Sequence, residues 1–491
     1  MDRMNPLDAT FLHVEDSISH MHIASCAVFE GPPPLYPDIV ALFRSKLPLV
    51  PRYRQRVRFV PGALGRPVWV DDPHFRLDYH VRHTALPPPG SDVDLRNLMG
   101  RLMSQPLDRN RPLWETWVVE GLEGDRWALI SKIHHCMVDG VSGTDLMTVV
   151  LDTSREPTVT AIDTWQPEPE PSDARLVADA ILESVVSPYE VARWVRSISR
   201  RPRKIASDVS DFVRGASALG GNLRPNSTLS IEGAIGPHRR WTWVEMPLDV
   251  VKAARRALGG TINDIVLSAI TNGFRELLLS RGEQLDGVVI RSLVPVSVRS
   301  SSDRTFNNQV SAMIAELPVG IASPVERLDA MKAQMAGLKE SHQAVAANVI
   351  TNLAGFAPPV LLTLGLRSAA TLVRRMPQRS VNTVTTNVPG PQVPLYACGR
   401  EMLSYYPFVP LSQGVRIGVA ILSYNGKIAF GVTGDWDTTP DLDVMAAGIE
   451  HGIHELTEAA ATAAATSAAA ASSAAVTTAA RRRSGSKRAA S

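Results

Sequence analysis

Cysteine is scarce in this chain: there are three, Cys26, Cys136 and Cys398, an odd number set far apart. That fits neither a disulfide framework nor a CxxC metal knuckle, and it predicts a reducing, cytoplasmic setting. Net charge is scarce as well, a formal +2, which supplies no global attraction for nucleic acid. Long apolar runs are missing. The most apolar stretch, residues 356–366, is interrupted by Pro358, Pro359 and Gly365 and ends at Arg367, short of the roughly 20 residues a spanning helix needs. The opening Met1-Asp2-Arg3-Met4-Asn5-Pro6-Leu7-Asp8 has no basic region leading into an apolar core, so no secretory signal is expected. These absences predict a protein that is soluble or rests peripherally on a lipid surface.

What is present is an ordinary globular balance of 44 % apolar and 20 % charged residues over 491 positions, room for two or three domains at about 100–200 residues each. Residues 21–29 read as a strand and 37–47 as a helix. Two short strands are expected around Phe59 and Trp69, broken by Pro61-Gly62 and Gly65-Arg66-Pro67 turns. A helix over 94–104, a loop over 106–115 and a strand over 114–120 follow. A hairpin turn at 121–125 then leads to an alternating strand that ends in two histidines. Strands and helices mixed in this order predict a mixed α/β (α+β) layer structure, with residues 1–151 as its first unit.

From 152 to 173 the chain turns rich in Pro, Thr and acid, and reads as an extended linker. Residues 185–198 carry Val191, Trp194, Val195 and Ile198 at helical spacing, beside Arg193, Arg196, Arg200, Arg201 and Arg203. Two readings of that stretch stand: a docked helix with a solvated basic face, or a basic amphipathic element against anionic lipid or polyphosphate. Linker and crossover fill 152–239.

A second αβ unit is expected over 240–457. Its clearest element is a helix over 261–279, with Ile262, Ile265, Val266, Ile270 and Phe274 on one stripe. Its entry, Thr261-Ile262-Asn263-Asp264, has the form of a helix cap. Strands are expected over 288–298, ending at Arg299, and over 310–317, 381–388, 415–424 and 427–433, the last two joined by an Asn425-Gly426 hairpin. Residues 324–373 read as helical with a break at Pro358-Pro359, and 441–456 as a final helix. The tail over 458–491, Ala-rich and ending in basic residues, buries no core. A solvated appendage and attraction to anionic membrane are its two readings.

The chemistry concentrates in Ser131-Lys132-Ile133-His134-His135-Cys136-Met137-Val138-Asp139-Gly140. With period two, His135 shares a strand face with Ile133, Ser131, Leu129 and Trp127, and His134 with Lys132, Ile130 and Ala128, so the two imidazoles point opposite ways. A histidine at a strand end, with an unperturbed pKa near about 6.5, suits removal of a hydroxyl proton at neutral pH. His135 is the candidate base. Asp139 either orients it or ties the following turn to a cation, for which Arg299 is available. A metal site on His134, His135 and Asp139 would need both imidazoles on one side, against the alternation. Cys136 as nucleophile would lack a base on its own face. An incidental histidine pair in a core is the plain alternative.

His134 to Gly140 matches the HHxxxDG motif, and in this the chain resembles the CoA-dependent acyltransferase superfamily of chloramphenicol acetyltransferase-like enzymes and peptide-synthesis condensation domains. Over nearly its whole length it resembles, more narrowly, the bacterial wax ester synthase/diacylglycerol acyltransferase family. The matching pieces are Pro6-Leu7-Asp8 with Met21-His22-Ile23, Pro112-Leu113-Trp114, Gly236-Pro237-His238-Arg239-Arg240, Asn263-Asp264, Asn387-Val388-Pro389-Gly390-Pro391 and Ser423-Tyr424-Asn425-Gly426. The resemblance implies two similar αβ halves with an active-site tunnel between them. It implies His135 as general base, Asp139 as mainly structural with Arg299 as partner, Gly140 permitting the turn, and a supporting role for Asn263 and Asp264. Asn387 is a nominee for the oxyanion donor that acyl transfer requires, and Pro112-Leu113-Trp114 for substrate binding.

Further, the resemblance implies a long-chain acyl-CoA as co-substrate, no other cofactor, and diacylglycerol or a fatty alcohol as acceptor, giving triacylglycerol or wax ester at a membrane or lipid-droplet surface. A non-catalytic lipid or acyl-CoA binding protein of the same fold is the competing reading, and an enzyme with another secondary alcohol as acceptor a third.

Overall fold

Two six-stranded sheets dominate the computed structural model, which describes residues 2–137, 146–156, 163–182, 229–297, 310–340, 381–463 and 465. The first sheet runs, in spatial order, Tyr396–Ala397, Arg400–Phe408, His22–Glu30, Arg126–His134, Trp114–Leu122 and Val81–Ala85. The second runs Val310–Leu317, Ile290–Ser297, Thr383–Pro389, Ile417–Tyr424, Lys427–Asp435 and Arg239–Pro247. Most neighbours are antiparallel; Val81–Ala85 runs parallel to Trp114–Leu122, and Thr383–Pro389 runs parallel to both strands beside it. This is the mixed α/β layering expected.

The Arg126–His134 strand is central in its sheet and buried from Trp127 to His134, as its apolar residues on both faces require. Trp127, Leu129 and Ile133 join a core with Phe29, Phe43 and Trp114. Ala128 and Ile130 join a second core shared by the two halves: Leu95, Leu98, Met99 and Leu102 from the Asp92–Met103 helix on one side, Trp241, Trp243, Tyr406 and Phe408 on the other. Polar groups fasten this junction. Arg239, 4 % exposed, donates to the carbonyls of Gly236, His238 and Ile18, and its N–H reaches Ser104 Oγ at 2.9 Å. Gly100 is needed here, because a Cβ would lie 2.5 Å from the Arg239 carbonyl oxygen.

One strand departs from the expected division. Arg400–Phe408 pairs antiparallel with His22–Glu30, so residues read as part of the second half complete the first half's sheet. Four helices were also absent from the sequence reading: Pro6–Val14, hereafter α1, Leu77–His80, Leu248–Leu258, and residues 173–182. Residues 163–172 of the linker form neither helix nor strand, and they are docked: Asp163 pairs with Arg54, and Glu170 with Arg56 and Arg58. Residues 442–463 are helical, so the last helix runs past 456 into the alanine-rich stretch, with Leu456 and Ala460 buried. The basic stretch 185–198, the apolar stretch 356–366 and the basic tail end lie outside the described residues. Among the described residues no helix is long and apolar enough to cross a membrane.

Candidate active site

The strand that carries the histidines ends at His134, and His135–Met137 form a 3-10 turn. Strand alternation therefore stops one residue short of His135, and it is the turn that separates the two imidazoles. His134 remains in register, directly opposite His22 on the neighbouring strand. Its backbone N–H donates to the Leu113 carbonyl at 2.9 Å, and the His135 N–H to the Met21 carbonyl at 2.8 Å. Both flanking strands thus hold the point where strand becomes turn.

His134 is fully buried. Its Nε2 lies 3.2 Å from Glu15 Oε2, and its Nδ1 accepts the Cys136 backbone N–H at 3.1 Å. An acceptor Nδ1 puts the ring proton on Nε2, facing the carboxylate. The other carboxylate oxygen, Glu15 Oε1, lies 3.2 Å from His22 Nε2. Arg109 closes the cluster at 2.5 Å from Glu15 Oε2. Burial works to raise the Glu15 pKa, but the close approach of His134 and His22 outweighs it and holds the carboxyl far below its usual range. Burial pushes His22 down to about 3, against the pull of Glu15. Lys132, on the same strand face as His134, is also buried; it donates to the Leu102 carbonyl at 2.9 Å and the Gln105 carbonyl at 2.5 Å, and burial lowers it to about 8.

His135 has a different setting. Its ring stacks on Phe11 of α1, centroids 3.9 Å apart and planes inclined by 23°. The residue as a whole is partly exposed, yet its imidazole is hemmed in enough that burial pushes the pKa to about 4, with the residue's own main-chain carbonyl opposing. Nδ1 has no hydrogen-bond partner among the described residues. A neutral imidazole locked by its backbone and one ring face can accept a proton from a hydroxyl brought to its edge.

Asp139, Gly140 and Arg299 lie outside the described residues. Asn263 and Asn387 come together: Asn387 Nδ2, at the exposed end of Thr383–Pro389, donates to Asn263 Oδ1 at 3.4 Å, a long hydrogen bond between helix entry and strand end. Asp264 is buried and caps its helix: its carboxylate accepts the Thr261 N–H at 2.7 Å, and Thr261 Oγ1 accepts the Asp264 N–H at 3.2 Å. The Pro112-Leu113-Trp114 element, nominated for substrate binding, is buried in core. Trp114 stacks on His80 at 4.6 Å and donates Nε1–H to the Tyr53 carbonyl at 2.8 Å, so its side chain packs inward while Leu113 braces His134 through the backbone. Cys136 is buried, and burial raises its thiol well above the ordinary value. Among the described residues no group of three His, Cys, Asp or Glu side chains is arranged to hold a metal ion.

A cavity of about 660 Å³ opens between the halves, where Leu86, Leu98, Arg101 and Gln105 face His238, Arg239 and Trp436. None of the nominated site residues that are described lines it. Sequence reasoning missed Phe11, Glu15 and Arg109, and it read His22 only as part of a motif. The available signal was the four-residue spacing of Phe11 and Glu15, one helical turn, in a chain whose matching pieces already held His22, His134 and His135.

Residues 4–266 match the wax ester synthase/diacylglycerol acyltransferase catalytic domain, and residues 306–457 the C-terminal domain of the same family. A Mycobacterium tuberculosis protein named a probable diacylglycerol O-acyltransferase is 35 % identical over 471 residues, covering 93 % of this chain and 96 % of that one. A second from the same organism, named in the same way, is 30 % identical over 468 residues, covering 94 % and 99 %. Among solved structures, the wax ester synthase/diacylglycerol acyltransferase of Marinobacter aquaeolei aligns with a TM-score of 0.63 at 25 % identity, over 94 % of this chain and all of that one. The first condensation domain of the calcium-dependent antibiotic synthetase shares the fold, with a TM-score of 0.57 at 15 % identity over 94 % and 97 % of the two chains. This chain is therefore a member of the wax ester synthase/diacylglycerol acyltransferase family, and its enzymatic class is acyltransferase.

Proposed function

We propose that the protein transfers a long-chain acyl group from acyl-CoA to the hydroxyl of diacylglycerol, giving triacylglycerol, and that long-chain alcohols serve as further acceptors, giving wax esters. The observation that carries the reading is His135: a neutral imidazole at the junction of strand and turn, pinned through its backbone and stacked on Phe11. Relatives named as diacylglycerol acyltransferases support the acceptor.

In this mechanism the His135 imidazole removes the acceptor hydroxyl proton as that oxygen attacks the thioester carbonyl. The tetrahedral oxyanion collapses, the C–S bond breaks, and the leaving CoA sulfur takes the proton back from the imidazolium. Both substrates are present at once and no acyl group is attached to the protein. The buried, high-pKa thiol of Cys136 supports that route, since a thiolate nucleophile needs the opposite environment. The oxyanion needs a fixed donor, and the Asn387 amide, held against Asn263, is the nominee.

His135→Ala is expected to lower transfer from labelled acyl-CoA to diacylglycerol by about 100- to 10,000-fold, the ordinary worth of a general base. Retained turnover would sink the mechanism, and saturable acyl-CoA binding by the unmodified protein without any product would favour a carrier over an enzyme. Delivering the diacylglycerol in anionic vesicles extends the same assay to the lipid surface at which such an acceptor resides.

A further inference from the structure

The mechanism above uses His135 and the Asn387 amide, and leaves a buried carboxylate, two further histidines and an arginine without a role. Glu15 follows α1 directly, and its N–H still donates to the Phe11 carbonyl at 3.1 Å, so the helical turn continues through it. Phe11 and Glu15 are therefore one turn apart on one face. The first stacks on His135 and the second contacts His134, so neighbouring positions of one helix each hold one of two neighbouring histidines.

The contacts around the His135 Cα show what this hold achieves. Of the two peptide planes flanking it, the preceding one is tied by the His135 N–H to the Met21 carbonyl. The following one is tied by the Cys136 N–H to His134 Nδ1. The second tie exists only while Nδ1 carries no proton. Glu15 Oε2, 3.2 Å from Nε2, selects that tautomer, because it accepts a proton at Nε2 and offers nothing to a bare one. The Glu15 side chain is 6 % exposed, so its charge is poorly compensated by water; Arg109 and His22 face it instead.

We propose that Glu15 is a positioning residue which, by fixing the His134 tautomer, sets the backbone of His135, while Phe11 sets its ring, so that α1 acts as a two-point clamp on the histidine pair. The inference rests on the reading of His135 as the base. It predicts that Glu15 acts through His134 and not through substrate.

Glu15→Ala should lower kcat on the order of 100-fold, the scale of a reacting group displaced by about 1 Å, with KM for acyl-CoA within about twofold, uniform binding being untouched. Glu15→Gln keeps one acceptor oxygen and should recover part of the loss. The decisive arm is the double variant. In a His134→Asn background an amide oxygen can take the Cys136 N–H without any tautomer to select, so adding Glu15→Ala should cost little more, a non-additivity that a general loss of packing does not produce. All rates are taken per folded molecule, from circular dichroism melts run alongside; if Glu15→Ala does not fold, Glu15→Gln and its His134→Asn combination carry the comparison. Full additivity, or kcat within twofold of the unmodified enzyme in the Glu15 variants, overturns the clamp while His135→Ala remains inactive. Turnover retained in His135→Ala removes the base itself, a separate failure.

Discussion

At the residue scale, burial keeps the His135 imidazole neutral over a wider pH range while making it a weaker base. A proton acceptor must be neutral, and free imidazole loses that state as pH falls through about 6.5. Held near 4 by burial, the ring stays neutral well below that point, so activity is present above pH 4 and lost as pH falls through it. The acid limb of kcat/KM for transfer to diacylglycerol should accordingly sit near pH 4 to 5 and be flat from 5 to 7. A limb at 6.5 would mean that the imidazole is as well solvated as in a free peptide. The sequence separated the two members of the histidine pair for an incomplete reason, since it continued the strand to His135 where the strand ends at His134. The meeting of Asn263 with Asn387 was not legible at all: the residues are far apart in sequence, and only the fold sets a strand end beside a helix entry. The Glu15 cluster went unread because its signal, the four-residue spacing of Phe11 and Glu15, points to a site only once the nine-residue helix before Glu15 is itself recognised.

At the element scale, legibility followed length and regularity. The helix Ile262–Ser280 was read within one residue at each end, since nineteen residues give a periodic stripe and a cap. That cap is a reciprocal capping box between Thr261 and Asp264, so Asp264 acts on the helix whatever else it does. Thr261→Ala should cost about 1 kcal/mol of unfolding free energy, read from urea titration; no loss would show that the box contributes nothing to the helix entry beside Asn263. The strand Arg400–Phe408 was missed for the converse reason. A register shift between Met402 and Ser404 breaks its alternation, and Pro407 looks like a terminator in sequence. The turn at Asn425-Gly426, by contrast, has both residues at positive φ, 42° and 78°, as that dipeptide in a two-residue hairpin demands.

At the scale of the whole molecule, the two halves were legible through resemblance, while the strand that binds them was not. Removing Arg400–Phe408 would leave His22–Glu30 with one side unpaired in a sheet built for six strands. A fragment of residues 1–151 is therefore expected to self-associate through that bare edge, as measured by sedimentation velocity, whereas a soluble monomer would show that the first half needs no help. The same topology bears on how the chain comes off the ribosome. Phe29 is synthesised long before its register partner Met402; at about 5–20 residues per second the edge waits on the order of tens of seconds for its neighbour. During that interval the nascent protein presents an open template to every other strand in the cell, and its yield on overexpression should depend less on final stability than on what shields Phe29 while translation finishes.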